Sequence, residues 1–273
     1  MPTNKQRRQA AQRHLQRQLE RRAEQARKRR RNILTGVVVL VVLVVGGAAA
    51  LIAGLGGGSD GSASAASSST AAAGTVDGGD GTCDFTAAAP GANPNLKDVG
   101  TPPAQVATSG TVTLTMTTDA GPIGLVLDRA KAPCASASFV YLAQQKFFDG
   151  SPCHREVNQP EFGVLQCGDP TGSGSGGPSY KFAQEIPSGT TYPRGTIAMA
   201  NTGQPNSTGS QFFLCFTDTQ LSPDYTPVGT VDEAGLAVLD TIAAAGNDGS
   251  FEAQAGGGAP NLPVTIKTMT VVG

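Results

Sequence analysis

The run from Gly195 to Phe216 constrains this chain's fold more than any other stretch. Two apolar pieces, 195–200 and 211–216, flank a polar loop rich in Gly, Asn and Ser. Successive side chains of a strand point to opposite faces, so Gln211 and Phe213 share one face and Phe212 takes the other. A polar and an aromatic side chain on one strand face suggest a mixed groove rather than a plain core.

The same period of two governs the region from Gly110 onward. Val112, Leu114 and Met116 alternate with Thr111, Thr113, Thr115 and Thr117. Gly121-Pro122 reads as a turn, and Ile123, Leu125 and Leu127 continue the alternation on a second strand. Pro133 to Gln145 is expected to be helical, with Pro near its first turn and Phe139, Leu142 and Ala143 on one side. Short strands are expected at 152–157, 163–167, 195–200, 211–216 and 226–231, a second helix at Glu233–Ala244 and a closing strand at Val264–Val272. Pattern alone indicates a mainly β barrel or sandwich with two helices.

The front of the chain differs in kind. Residues 1–32 carry twelve Lys and Arg against two Glu, a net of +10, while residues 33–273 carry eight against nineteen, a net of −11. From Ile33 to Leu55 runs a charge-free stretch of 23 residues rich in Val, Leu, Ala and Gly. At 1.5 Å per residue such a helix reaches about 34 Å, enough to cross a hydrocarbon core of about 30 Å. The expected layout is a basic cytoplasmic arm (1–32), a single transmembrane helix (33–55), a Gly/Ser/Ala-rich flexible linker (56–108) and a folded domain (109–273) outside the membrane. A cleaved signal peptide competes with the anchor, with Val37–Val45 as its apolar core and Ala48-Ala49-Ala50 as its cleavage region. The basic segment is far longer than an ordinary signal-peptide n-region, which favours retention. The arm lacks aromatic residues for base stacking, so nucleic acid is not an expected partner. Within the linker, Cys83 to Ala107 is spotted with Pro90, Pro94, Pro102 and Pro103 and reads as extended, draped on the domain that follows.

Taken together, His154-Arg155, Leu165-Gln166-Cys167-Gly168-Asp169 and the 195–216 run resemble the cyclophilin-type peptidyl-prolyl cis–trans isomerases, over roughly residues 109–273. The resemblance implies an eight-stranded antiparallel closed barrel capped by two helices. The arm, the apolar stretch and the Ala/Gly/Thr bias are similar to those of membrane-anchored actinobacterial members. It also implies an enzyme for proline-containing polypeptides that speeds folding of secreted or cell-envelope proteins. A catalytically weak cyclophilin-fold module that binds peptides as a chaperone is the competing reading, because a fold does not guarantee its activity.

Rotation about a peptide C–N bond faces a barrier of about 18–20 kcal/mol because resonance gives the bond double-bond character. A catalyst of X-Pro rotation needs no nucleophile, metal or cofactor. It needs an apolar pocket for the ring and a donor that favours the twisted amide, whose nitrogen regains a lone pair. By the resemblance, Arg155 is the cationic donor, Gln166 supports it and binds substrate backbone, and His154 helps to shape the site. Val164 and Phe213 match the wall and floor of the proline pocket, and Gln211 shares their groove. Asn201 matches a residue whose backbone bonds the substrate residue before proline.

Departures from the family pattern are local. Cys153 stands where many members have Phe, and the spacing from Arg155 to Gln166 is one residue longer. Either Phe162 fills the usual aromatic position or Gly163 leaves it without a ring. The 201–209 loop also carries one extra residue. Leu221 stands where many members have Trp, a residue important for cyclosporin recognition, so weak cyclosporin binding is expected. Tyr225 falls near a groove-lining His. The Gly172–Gly177 run resembles a family loop beside a second, neighbouring pocket; no Gly-Lys-Ser/Thr follows it, which argues against a phosphate cradle. The domain is expected to act as a monomer.

Five cysteines outside the membrane permit disulfides. With one thiol left free, fifteen two-bridge arrangements are open. The preferred pairs are Cys153–Cys167, facing across a hairpin, and Cys83–Cys134, tying the linker to the domain, with Cys215 free and buried. A metal site from Cys153, His154 and Cys167 is disfavoured, because adjacent strand residues point to opposite faces.

Overall fold

Val112, Leu114 and Met116 are buried and alternate with more exposed threonines, so the period of two in the sequence becomes one inward face of a strand. The structure, a computed structural model, describes residues 80–272 apart from Pro90, Ala92 and Gln254. The expected arm at 1–32, the membrane span at 33–55 and the first part of the linker lie outside these residues. Among the described residues, no helix is long and apolar enough to cross a membrane.

In chain order the elements begin with β1 (Thr86–Ala87), β2 (Leu96–Lys97), β3 (Thr111–Thr118), β4 (Gly121–Asp128) and α1 (Pro133–Gln144). Next come β5 (Ser151–Pro152), β6 (Arg155–Gln159), β7 (Phe162–Cys167), β8 (Gly177–Pro178), β9 (Tyr180–Lys181) and β10 (Thr196–Met199). The chain ends with β11 (Phe212–Cys215), β12 (Pro227–Val231), α2 (Glu233–Ala245) and β13 (Thr265–Val272). Nine strands form one sheet in the order β5-β13-β3-β4-β12-β10-β11-β7-β6, antiparallel throughout.

The expected closed barrel of eight strands is thus corrected to an open nine-stranded sheet. Its edges, β5 and β6, are the two halves of the strand expected at 152–157. β5 pairs with β13 and β6 with β7, and Cys153 and His154, which lie in neither strand, join the two edges. The first hairpin also turns earlier than expected. Thr118 Oγ1 donates to the Gly121 carbonyl and accepts from the Ala120 N–H, which closes a two-residue turn at Asp119-Ala120. Gly121-Pro122 therefore opens β4 instead of making the turn.

Both helices form and pack on the sheet, α1 against β13 and α2 against β4. Asp232 caps α2 by accepting from the Gly235 N–H at 2.7 Å, and α2 buries Leu239 and Ile242. The residue before α1, Ala132, has no capping side chain. Its role falls to the buried Glu185, which accepts from the N–H groups of Cys134 and Ala135, both at 2.8 Å. A carboxylate there satisfies orphan helix donors and faces the positive end of the helix dipole.

The Cys83–Ala107 stretch runs over the domain in extended form. Its β1 pairs with β9, its β2 pairs in parallel with β8, and Phe85 packs edge-on to Tyr180 and Phe182. Cys83–Cys134 fastens it to α1, Cys153–Cys167 links the two ends of the β6–β7 hairpin, and Cys215 is free and buried.

The principal core gathers the inward residues of β3, β4, β7, β10, β11 and β13 with Phe139 and Leu142 of α1. Glu156 intrudes on that side: it is fully buried, stands opposite Leu165, and neither carboxylate oxygen has a partner among the described residues. Loss of hydration raises its pKa to about 7, against a smaller downward pull from the Asn158 side chain. A carboxyl with a raised folded-state pKa contributes stability fully below its unfolded value and loses it as pH rises through the folded value. Stability should therefore fall between about pH 4.5 and 7 on this group's account. Replacing Glu156→Gln should flatten that slope and raise stability at pH 8 by up to about 3 kcal/mol. Urea unfolding from pH 5 to 8 checks this, and parallel profiles for the two proteins would contradict it.

Candidate active site

Strand alternation gives the sheet a second, outward apolar patch. Val157 of β6, Val164 of β7, Ala198 of β10 and Phe213 and Cys215 of β11 form a separate buried cluster with Tyr192, edged by Phe162, Ala200, Leu221 and Tyr225. Register places the key residues. Arg155 stands opposite Gln166, Gln166 opposite Phe213, and Phe213 opposite Ala198. At about 4.8 Å between strands, this cross-strand row spans roughly 14 Å.

Above the row opens a cavity of about 270 Å³ lined by Arg155, Phe162, Val164, Gln166, Ala200, Asn201, Phe213, Leu221, Tyr225 and Ala255. The sequence reading singled out all of these except Ala200 and Ala255. Phe162 shares a face with Val164 and Gln166 and lines the cavity. Gly163 points the other way, where an added Cβ would come within 2.6 Å of the Phe216 ring. Tyr225 lies edge-on to Phe213 at 5.4 Å between centroids. Tyr192 holds it from behind, donating to the Tyr225 carbonyl and accepting from its N–H.

The Arg155 guanidinium is fixed entirely by neutral oxygens. Nη1 donates to Gln166 Oε1 at 3.0 Å, Nε to the Gly256 carbonyl at 2.9 Å, and Nη2 to the Ala255 carbonyl. Among the described residues no carboxylate makes an ion pair with it. Its charge is therefore held in place without being neutralised. Burial pulls its pKa down, with the nearby Tyr225 opposing, yet a guanidinium starts so high that it remains a cation.

Gln166 passes the constraint on. Its Nε2 donates to Gln211 Oε1 at 3.0 Å, and Gln211 Nε2 donates to the carbonyls of Gly174 and Gly176, both at 3.0 Å. These bonds fix which way each amide faces. The Gly172–Gly177 run thus anchors the relay, and the buried Asp169 shapes it by accepting from the Gly176 N–H and from Thr171 and Ser173. Burial alone would raise the Asp169 pKa, but these bonds outweigh it and hold the carboxylate below its ordinary value. From outside, Asn93 Nδ2 donates to the Ser175 carbonyl and Asn95 Nδ2 to Ser175 Oγ, both at 2.8 Å.

Two of the expected site residues stand away from the main cavity. Gln211 lines a neighbouring one of about 120 Å³ that shares Gln166, Ala200 and Asn201 with the first. His154 lines neither: it is buried, its ring lies 3.7 Å from where a Cβ on Gly174 would sit, and its Nδ1 has no partner among the described residues. Desolvation lowers its pKa, with Asp169 pulling upward and Arg155 downward. His154 lies outside β6, in the two-residue link between β5 and β6. The thiols of the competing metal reading are joined to each other as a disulfide.

Asn201 uses its side chain to hold its own loop, donating to the Asp224 carbonyl at 2.7 Å and accepting from the Gly203 N–H at 2.8 Å. Its backbone N–H and C=O have no hydrogen-bond partner among the described residues, and Asn201 lines both cavities. Sequence reasoning missed Ala255 and Gly256. They lie about a hundred residues from Arg155, in a Gly-rich loop with no pattern of its own, and only the fold brings them there. Glu156 pairs with Gly258 in both directions, which lays this loop across β6. An added Cβ at Gly257 (φ +72°) would come within 1.9 Å of the Glu156 carbonyl oxygen, so the crossing requires glycine.

This arrangement agrees with three comparisons. The family model described as cyclophilin type peptidyl-prolyl cis-trans isomerase matches residues 113–271. A probable peptidyl-prolyl cis-trans isomerase B of Mycobacterium tuberculosis is 46% identical over 191 residues, covering 66% of this chain and 58% of that relative's length. A peptidyl-prolyl cis-trans isomerase of Helicobacter pylori is 40% identical over 131 residues, covering 47% of this chain and 78% of that one. Among solved structures, a cyclophilin type isomerase of Cryptosporidium parvum superposes with a TM-score of 0.52 at 25% identity, covering 60% of this chain and 99% of its own. With the family model spanning more than half of its residues and the sheet, helices and outward cavity in place, the chain belongs to the cyclophilin type peptidyl-prolyl cis-trans isomerase family.

Proposed function

We propose that this protein catalyses cis–trans isomerisation of X-Pro bonds in polypeptides. The observation that carries the reading is the row in which an unneutralised arginine stands beside an apolar cavity, held only by neutral acceptors. Phe162, Val164, Phe213 and Leu221 would take the pyrrolidine ring, burying it without demanding a hydrogen bond from a nitrogen that has none to give. The free N–H and C=O of Asn201 would grip the backbone before the proline. In the planar ground state the prolyl nitrogen's lone pair is delocalised. As the bond twists, the nitrogen becomes pyramidal and its lone pair localises, and a fixed cationic donor then gains more than it did before. The site contributes rotation without bond breaking, so it needs no nucleophile. Proline-containing polypeptides are the proposed substrates; a dipeptide Ala-Pro is present with the Cryptosporidium parvum protein in a second structure of it.

Membrane attachment through 33–55, with the domain facing outward, is part of the same reading. Two disulfides support an oxidising compartment, and the +10 arm supports a cytoplasmic N-terminus. The clients would be secreted or envelope proteins, and the domain would act as a monomer. Weak cyclosporin binding belongs here too, since Leu221 offers the cavity a small aliphatic wall. Leu221→Trp should tighten cyclosporin at least about tenfold in a calorimetric titration, some 1.4 kcal/mol. Unchanged affinity would show that this wall does not govern recognition.

Exchange NMR on a short X-Pro peptide tests the activity itself. The parent should accelerate exchange, and Arg155→Ala should lower kcat/KM by about 10²–10³, the usual cost of losing one preorganised transition-state donor. Peptide binding without acceleration would refute catalysis and leave a binding module.

A further inference from the structure

The family model begins at residue 113, yet the segment before it is bound closely to the domain. Cys83 is bridged to Cys134 of α1, Phe85 packs on Tyr180 and Phe182, and β1 and β2 pair with β9 and β8. Asp98 accepts from Ser179 Oγ at 2.8 Å, and the Tyr141 hydroxyl donates to the Val99 carbonyl. The Lys97 ammonium lies 5.6 Å from the centre of the Phe147 ring. A backbone held at so many points forms a strap that can present side chains at fixed positions. Asn93 and Asn95, both half-buried, are presented to Ser175.

Ser175 stands between Gly174 and Gly176, whose carbonyls hold Gln211 at 3.0 Å each. Four of the six residues from 172 to 177 are glycine, so the run has few side chains with which to fix itself. Asn93 fixes the Ser175 backbone, donating to its carbonyl at 2.8 Å, while its own Oδ1 accepts from the Asn95 N–H at 2.9 Å. Asn95 completes a chain of hydroxyls that has a direction. The Asp169 carboxylate only accepts, so Thr171 Oγ1 gives it a hydrogen at 2.8 Å. Ser173 Oγ then points its hydrogen the same way, to Asp169 or Thr171, and Ser175 Oγ donates to Ser173 at 2.9 Å. With its single hydrogen used, Ser175 Oγ accepts from the strap, and the Asn95 amide donates to it at 2.8 Å.

We infer that Asn93 and Asn95 are positioning residues for the isomerase site, acting on Arg155 through Ser175, Gln211 and Gln166. The inference rests on the isomerase reading for the meaning of the Arg155 placement. Without the two amides the Gly174 and Gly176 carbonyls drift from Gln211, and the guanidinium loses the steadiness of its Gln166 support. The apolar lining is untouched, so peptide binding persists while the donor is less well placed for the twisted amide. Such a loss falls on kcat and spares KM. Catalytic competence thus depends on a segment outside the part of the chain that the family model matches.

The test uses the 273-residue chain as parent and as Asn93→Ala/Asn95→Ala, Asn95→Asp and Lys97→Ala. Exchange spectra on an X-Pro peptide give kcat and KM; the Arg155 Nε–H signal of the free protein and the thermal midpoint are recorded beside them. The double variant should lose about fivefold to tenfold in kcat with KM within about twofold, and its Arg155 signal should move. Asn95→Asp keeps the shape but cannot donate to Ser175, so it should lose about threefold in kcat and move the same signal. Should the double variant be unfolded at the assay temperature, Asn95→Asp carries the same readouts. Lys97→Ala loosens the strap away from Ser175, and should lower the thermal midpoint while leaving kcat and the Arg155 signal at parent values. Parent kcat and an unmoved Arg155 signal in the asparagine variants, or equal losses in Lys97→Ala, would overturn the inference. A parent that fails to accelerate exchange would refute the isomerase reading, and the Arg155 signal alone would then decide whether the strap positions that side chain.

Discussion

The antiparallel register of β6, β7, β11 and β10 is the constraint on which the site depends. Because side chains alternate, a single choice of register sends Arg155, Gln166, Phe213 and Ala198 to one face in one row. The same choice sends Leu165, Phe212, Leu214 and Ile197 into the principal core. Slipping any one of these strands by a residue would exchange its two sets and bury the polar members. Core packing therefore enforces the site geometry without any contact dedicated to it. The price is small, because the outward face also has an apolar cluster of its own beneath the cavity.

Upon that row the chain builds a support for one cation. Gln166 and Gln211 relay the position of Arg155 to the glycine run at 172–177, and Asn93 and Asn95 brace that run from the N-terminal segment. On its other side the guanidinium rests on two carbonyls of the loop that crosses β6. Every one of these partners is neutral. A carboxylate would hold the arginine more strongly, but it would also spend the charge that a twisting amide can use. Fixing a cation with dipoles keeps the donor preorganised and electrostatically available.

Much of this was legible in the sequence, and for a reason. Alternation is a local property, so the long strands, both helices and the inward faces followed from residues such as Val112, Leu114 and Met116. Motif resemblance supplied most of the cavity members and left the aromatic position open between Phe162 and a ringless Gly163. The disulfide pairs matched those preferred from their places along the chain. What escaped was set by non-local packing. The division of one strand into β5 and β6, and with it the open sheet, depends on partners more than a hundred residues apart. The Glu185 cap of α1 and the Ala255–Gly256 carbonyls on Arg155 are equally invisible to spacing. His154 shows the converse: a motif neighbour of the key arginine that sits in the link between β5 and β6 and lines neither cavity.

The central claim is that proline is received in the cavity of Phe213 and meets the Arg155 guanidinium there. The most direct measurement follows the Arg155 side-chain N–H signals and the Phe213 ring signals while a short peptide containing Ala-Pro is titrated in. The account predicts that both sets shift together along one binding curve, and that a peptide with Ala in place of Pro moves neither at the same concentration. Saturable peptide binding that leaves the Arg155 signals in place would contradict it.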